Sequence, residues 1–180
     1  MADKPHQFQM AFVAEQDRML LRIGTCNKAE YRLWLTRRVV RSLWEALLKI
    51  VEAGQAKNTP IEPEKREAIL QFEHQSAVEQ ADFKTPFEEA ADSYPLGEDG
   101  VLVSSISGGR KENGVYVLKL GSSQGKAITF NIDDRLMHSF MQMLIESSKL
   151  AEWGLQLRLP VSDSSSSTDV SSPPGKVMRH

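Results

Sequence analysis

The chain has 180 residues, 41% hydrophobic and 26% charged, which excludes a wholly disordered or collagen-like polymer and allows one domain or two small ones. Its formal net charge of −2 lacks the basic excess of a dedicated nucleic-acid binder. No apolar run approaches the roughly 18 residues of a membrane span, the N-terminus MADKPHQFQM has no apolar signal segment, and the one cysteine, Cys26, cannot close an internal disulfide. The expectation is a cytoplasmic protein with no membrane partner.

Phe8, Met10 and Phe12 alternate, predicting a strand over 7–13. Met19, Leu21 and Ile23 alternate next, and after a turn at Cys26-Asn27-Lys28 so do Tyr31, Leu33 and Leu35, which together predict a hairpin. The period then changes. Val40, Leu43, Trp44, Leu47, Leu48 and Val51 recur at helical spacing, with Thr36 placed as N-cap and Gly54 as the stop. Residues 55–61 form a linker, and Pro63 with Glu64 and Glu67 suits the start of a second helix over 62–82. From Thr85 to Gly100 the chain is acidic and irregular. Strands are expected over 101–107, 115–121 and 127–132, the first two joined around GGRKENG, before Asp133 caps a helix over 133–152. Beyond residue 160 the Ser- and Pro-rich sequence cannot offset its ordering entropy, and a disordered tail is expected over 161–180.

Residues 19–48 echo residues 116–145 without a gap: of 17 apolar residues in the first stretch, 14 meet an apolar partner in the second. Leu21, Gly24, Arg38, Ser42 and Leu47 fall on Leu118, Gly121, Arg135, Ser139 and Leu144. Duplication and convergence of two strand–strand–helix units both produce such a pattern. The fold class expected is α+β: a βββα unit over 1–54, an acidic helical connector over 55–100, and a second βββα unit over 101–160. The two are expected as one antiparallel sheet backed by helices, or as two sheets related by a pseudo-twofold axis. Leu43 and Phe140, like Leu47 and Leu144, should be buried at matching positions.

Charge is segregated along this frame. Residues 1–60 carry 10 Lys or Arg against six Asp or Glu, whereas residues 61–100 carry three against 11. Such a connector is either solvated or lies across a basic surface, where it would compete with an anionic ligand.

No catalytic or metal-binding motif stands out, and no cofactor is implied. His6, His74, His138 and His180 lack ligand spacing, Cys26 has no local Cys–His signature, and His138 sits on the flank of an apolar helical face. Two surfaces are candidates for binding. In the first hairpin a five-residue connection sets Arg22 opposite Arg32 and Leu20 opposite Trp34, on the face away from Leu21 and Leu33. Facing arginines destabilise a sheet unless something anionic neutralises them. Arginine beside an aromatic is also how single-stranded nucleic acid is held. The equivalent position of the second unit keeps one cation, Lys119. In outline, paired strand-rich units each with a backing helix are similar to the Whirly and Pur-repeat families of single-strand binders, with no shared motif. Against a binding role, Glu15, Asp17, Glu30 or the acidic connector would neutralise the arginines and Trp34 would pack beneath a loop or a second subunit. The second surface is the cationic edge of the first helix, Arg37, Arg38 and Arg41, which opposes the helix dipole. The function expected is a non-enzymatic protein-interaction or assembly module, self-associating or bound to a protein partner. Single-stranded DNA or RNA binding through Arg22, Arg32 and Trp34 is the alternative.

Overall fold

The computed structural model describes residues 5–56, 62–89 and 91–160 of the chain. The expected tail at 161–180 and most of the expected 55–61 linker lie outside these residues.

The fold is α+β, with two sheet-plus-helix units in a pseudo-repeat. Strands β1 (Pro5–Val13), β2 (Arg18–Thr25) and β3 (Glu30–Leu35) form an antiparallel meander. They lead into α1 (Arg37–Ala56) and, after it, α2 (Pro63–Gln80). The short β4 (Val101–Leu102) returns to pair parallel with β3, completing a four-stranded sheet in the order β1-β2-β3-β4. Strands β5 (Ser105–Arg110), β6 (Tyr116–Gly121) and β7 (Ala127–Ile132) form a second antiparallel sheet, followed by α3 (Asp134–Leu150). The repeat is therefore architectural. β3 and β7 begin and end 97 residues apart, as do the starts of α1 and α3. Leu43, Leu47, Phe140 and Leu144 are all fully buried.

The units are interleaved. α1 lies chiefly against β5 of the second sheet, while α3 lies against β1 of the first and carries α2 on its other side. One continuous apolar core results, running from Met19, Leu21 and Leu33 through Leu43 and Leu47 to Leu118, Phe130 and Phe140. Each fully buried side chain of this size contributes about 1.5–3 kcal/mol by leaving water.

Three details correct the sequence expectations. The strand expected over 101–107 is broken in two: the Val103 amide donates to the Trp34 carbonyl at 3.0 Å and the Ser104 amide to the Gly121 carbonyl at 2.8 Å. Consecutive amides of an extended chain point to opposite sides, so this stretch ties one sheet to the other instead of extending either. Gly100 delivers the chain to β3 with φ +74°, and a Cβ there would sit 2.7 Å from the Arg32 carbonyl oxygen. Gly108 and Gly109, expected in a hairpin connection, belong to β5, and the turn is formed by Lys111–Gly114. Finally, Gly54 does not stop α1, which continues to Ala56. Its missing side chain instead makes room for Arg110, whose Cδ and Nη1 would lie 2.6 Å from a Cβ.

The third helix starts as expected, with the Asp133 carboxylate accepting from the Leu136 amide at 2.8 Å. Past its end Trp153 turns back into the core, where its ring meets Phe12 edge-on at 5.8 Å and its Nε1 donates to Asp17 at 2.7 Å.

Candidate interaction surface

The inner face of the first sheet, with Phe8, Met10, Leu21, Ile23 and Leu33, belongs to the core. Period-two alternation then places Gln7, Gln9, Ala11 and Val13 of β1, Arg18, Leu20, Arg22 and Gly24 of β2, and Glu30, Arg32 and Trp34 of β3 on the outer face. Cross-strand register arranges these in rows. Arg22 pairs with Arg32 and with Gln9, while Ala11, Leu20, Trp34 and Leu102 form an uncharged row across all four strands. The hairpin register is the one the sequence predicted.

The facing arginines are neutralised by a residue of their own sheet. Glu30, 2% exposed, accepts from Arg22 through both oxygens, at 2.8 and 3.0 Å, and from Arg32 Nε at 2.7 Å. Burial pushes the Glu30 carboxyl up, but the two guanidiniums outweigh it and hold its pKa below the ordinary value. For Arg22 the hydrogen bond to Glu30 is the largest influence, and it raises the pKa further against burial. Arg22 also donates to Gln9 at 3.0 Å and to Glu89 at 3.1 Å.

The rest of the arginine row is covered by the chain itself. Residues 82–89 and 91–100 pass from α2 around the β1 edge and over this face. Phe87 stacks on the Arg22 guanidinium with 4.3 Å from Cζ to the ring centre, and Tyr94 stacks on Arg32 at 4.6 Å. Arg32 Nη1 donates to the Glu98 carbonyl at 2.8 Å and Trp34 Nε1 to the Asp99 carbonyl at 2.7 Å. Flat rings over guanidiniums gain cation–π attraction, and the carbonyls satisfy donors that would otherwise need water. Gly24 helps to seat the cover, since a Cβ there would touch the Phe87 ring at 3.3 Å.

The apolar row is only partly sheltered: Leu20 and Trp34 are half-buried, Ala11 is exposed and Leu102 is 42% exposed. Arg22, Arg32 and Trp34 are thus brought together. The other candidates are not part of this cluster. Arg37, Arg38 and Arg41 are exposed on the solvent side of α1, and Lys119 lies exposed on the outer face of the second sheet between Ser107 and Thr129. Phe87, Glu89, Tyr94 and the carbonyls of Glu98 and Asp99 were not foreseen individually. Of these groups only the Glu89 carboxylate is part of the acidic balance of 61–100; the two rings and the backbone carbonyls leave no trace in it.

His138 is a structural residue, buried against α2 with its Nδ1 3.3 Å from Nδ1 of His74, whose Nε2 lies 3.2 Å from Gln142 Oε1. Burial, then the charge of His74, lowers His138 to about 4, and burial lowers His74 as well. Among the described residues no group of three or more His, Cys, Asp or Glu converges to hold a metal ion, no catalytic constellation is present, and no helix is long and apolar enough to cross a membrane. Compared with protein-family models, curated proteins and solved structures, the chain matches none.

Proposed function

We propose that the protein is a non-enzymatic interaction module that assembles with a second copy of itself through the outer face of the first sheet. The observation that carries this reading is the row Ala11–Leu20–Trp34–Leu102. It is uncharged, spans all four strands and stays open beside an arginine row that the chain has covered. Open cross-strand apolar rows favour closure by a partner, and a twofold face-to-face contact buries the same row twice. Sedimentation velocity tests it. Wild type should sediment as a dimer at tens of micromolar, and Leu102→Asp, at an exposed position, should shift it to monomer. A wild type that stays monomeric throughout that range refutes self-assembly.

Single-stranded DNA or RNA on the same face is the second reading. It has one supporting observation: both guanidiniums accept flat rings, as bases would be accepted. The buried Glu30 between them weighs against it, since a phosphate would approach an existing carboxylate. Binding of a labelled oligonucleotide that weakens steeply between two salt concentrations would put this reading first.

A further inference from the structure

We infer that residues 82–89 are a displaceable cover, and that the site beneath them takes an extended segment of a protein partner with an aromatic residue and a carboxylate spaced as in Phe87 and Glu89. The inference rests on the outer face of the first sheet being the recognition surface, and is independent of self-assembly.

The recognition chemistry is already displayed, with the chain acting as its own ligand. Arg22 lies over the Phe87 ring, with Cζ 4.3 Å from its centre, and meets the Glu89 carboxylate 3.1 Å from Nη1. A cavity of about 340 Å³ bounded by Gly24, Thr25, Ala29, Glu30 and Phe87 adjoins that ring, leaving room for a bulkier aromatic side chain.

The cover is attached differently from the segment that follows it. Residues 82–89 form no strand, and among the described residues their hydrogen bonds to β1 run through the Gln7 side chain, which donates to the Pro86 carbonyl at 3.3 Å and accepts from the Glu88 amide at 2.9 Å. From Asp92 onward the attachment is backbone to backbone. The Asp92 amide donates to the Lys28 carbonyl at 2.8 Å and the Glu30 amide to the Ser93 carbonyl at 2.9 Å, and Leu96 is buried. The first part can therefore leave while the second stays. Its own turn would persist, because the Asp82 carboxylate accepts from the Lys84 and Thr85 amides and the Thr85 hydroxyl.

Lifting the cover strands no charge. Arg22 keeps both bonds to Glu30 and the one to Gln9, and Glu89, whose side chain is 77% exposed, returns to water. An ion pair so exposed contributes little. The site stays formed, charged and open on one side. A tethered segment competes at an effective concentration on the order of millimolar, so a free ligand binds well only once the cover is weakened.

The test uses a fluorescein-labelled peptide with the sequence of residues 81–92, titrated into the full chain and followed by anisotropy. Phe87→Ser with Glu89→Gln should bind it at least about tenfold more tightly than wild type does. Adding Arg22→Gln should abolish that gain, and a peptide lacking the aromatic and acidic side chains should not bind. A weakened-cover protein that keeps its melting temperature yet does not bind, or that binds both peptides alike, overturns the inference. So does tighter, steeply salt-dependent binding of an oligo(dT) probe, which would make the ligand a nucleic acid. Should the double variant melt early, Glu89→Gln alone carries the test with an expected gain of about two- to fivefold, and no gain overturns the inference. Sedimentation of the same proteins reports separately on self-assembly.

Discussion

Replacing Glu30 by Gln removes the one carboxylate that faces both arginines while keeping the shape of the side chain. Glu30 is 2% exposed, and the Arg22 and Arg32 side chains are 13% and 28% exposed, so the network is mostly but not wholly shielded from water. Removing one partner of a fully buried pair costs about 3–5 kcal/mol, and discounting for the exposed part of the arginines leaves about 2–4 kcal/mol. In a chain of this length that lowers the melting temperature by about 5–15 °C. Urea unfolding should show an earlier midpoint with an unchanged slope, and adding Arg32→Gln should restore about 1 kcal/mol by removing the like charge opposite Arg22. The pH dependence gives an independent check. The folded pKa of Glu30 is lowered, so its stabilisation is complete above the unfolded value near 4.3 and is lost as pH falls through the folded value. The Gln variant should lack that acid-side loss. A loss below about 0.5 kcal/mol at neutral pH would refute the view that this network holds the face together.

The His74–His138 pair predicts a second pH dependence of the same sign. Both folded pKa values are lowered, so stability is full above the unfolded value near 6.5 and declines as pH falls toward about 4, by about 3 kcal/mol at most for His138; His138→Gln should flatten thermal unfolding across that window, and a wild type with equal stability at pH 7.5 and 5 would contradict it. Gly100→Ala combines a positive φ with a 2.7 Å approach to the Arg32 carbonyl and should cost about 2–4 kcal/mol in denaturant unfolding, with a change under 1 kcal/mol refuting the close contact. Trp34→Ala should cost about 1–2 kcal/mol, between an exposed and a core tryptophan, because its side chain is only partly buried and its Nε1 bonds the Asp99 carbonyl; a loss of 4 kcal/mol would place Trp34 in the core.

Most of the fold was legible because one face of each element is apolar. Alternation located β1–β3 and β6–β7, the 3.6-residue period located α1 and α3, and the five-residue hairpin connection fixed the Arg22–Arg32 register. What failed depended on distant parts of the chain. The break at Val103–Ser104 arises because two sheets compete for adjacent amides, which no local pattern records. Gly54 carries the local signature of a helix end, yet its small size is used by Arg110 of another strand. The interleaving of the units was equally hidden, since an apolar helical stripe does not specify which sheet it will cover.

The candidate surface was legible in a different way. Glu30, Arg32 and Trp34 are spaced by two, so strand geometry alone puts the neutralising carboxylate on the face of the arginine and the indole. The acidic balance of 61–100 left both a solvated connector and a cover over basic residues open, because charge enters only as a sum. Which acid meets which arginine depends on the path of an irregular segment whose course follows from Gln7, Gly24 and the backbone pairing at Ser93, features without a pattern in the sequence. The outcome is a division of labour between two carboxylates. Glu30, buried in the sheet, holds the Arg22 and Arg32 guanidiniums in place through three hydrogen bonds. Glu89, 77% exposed, adds one bond to Arg22 from the crossing segment. The buried carboxylate thus belongs to the sheet and the exposed one to the segment that crosses it.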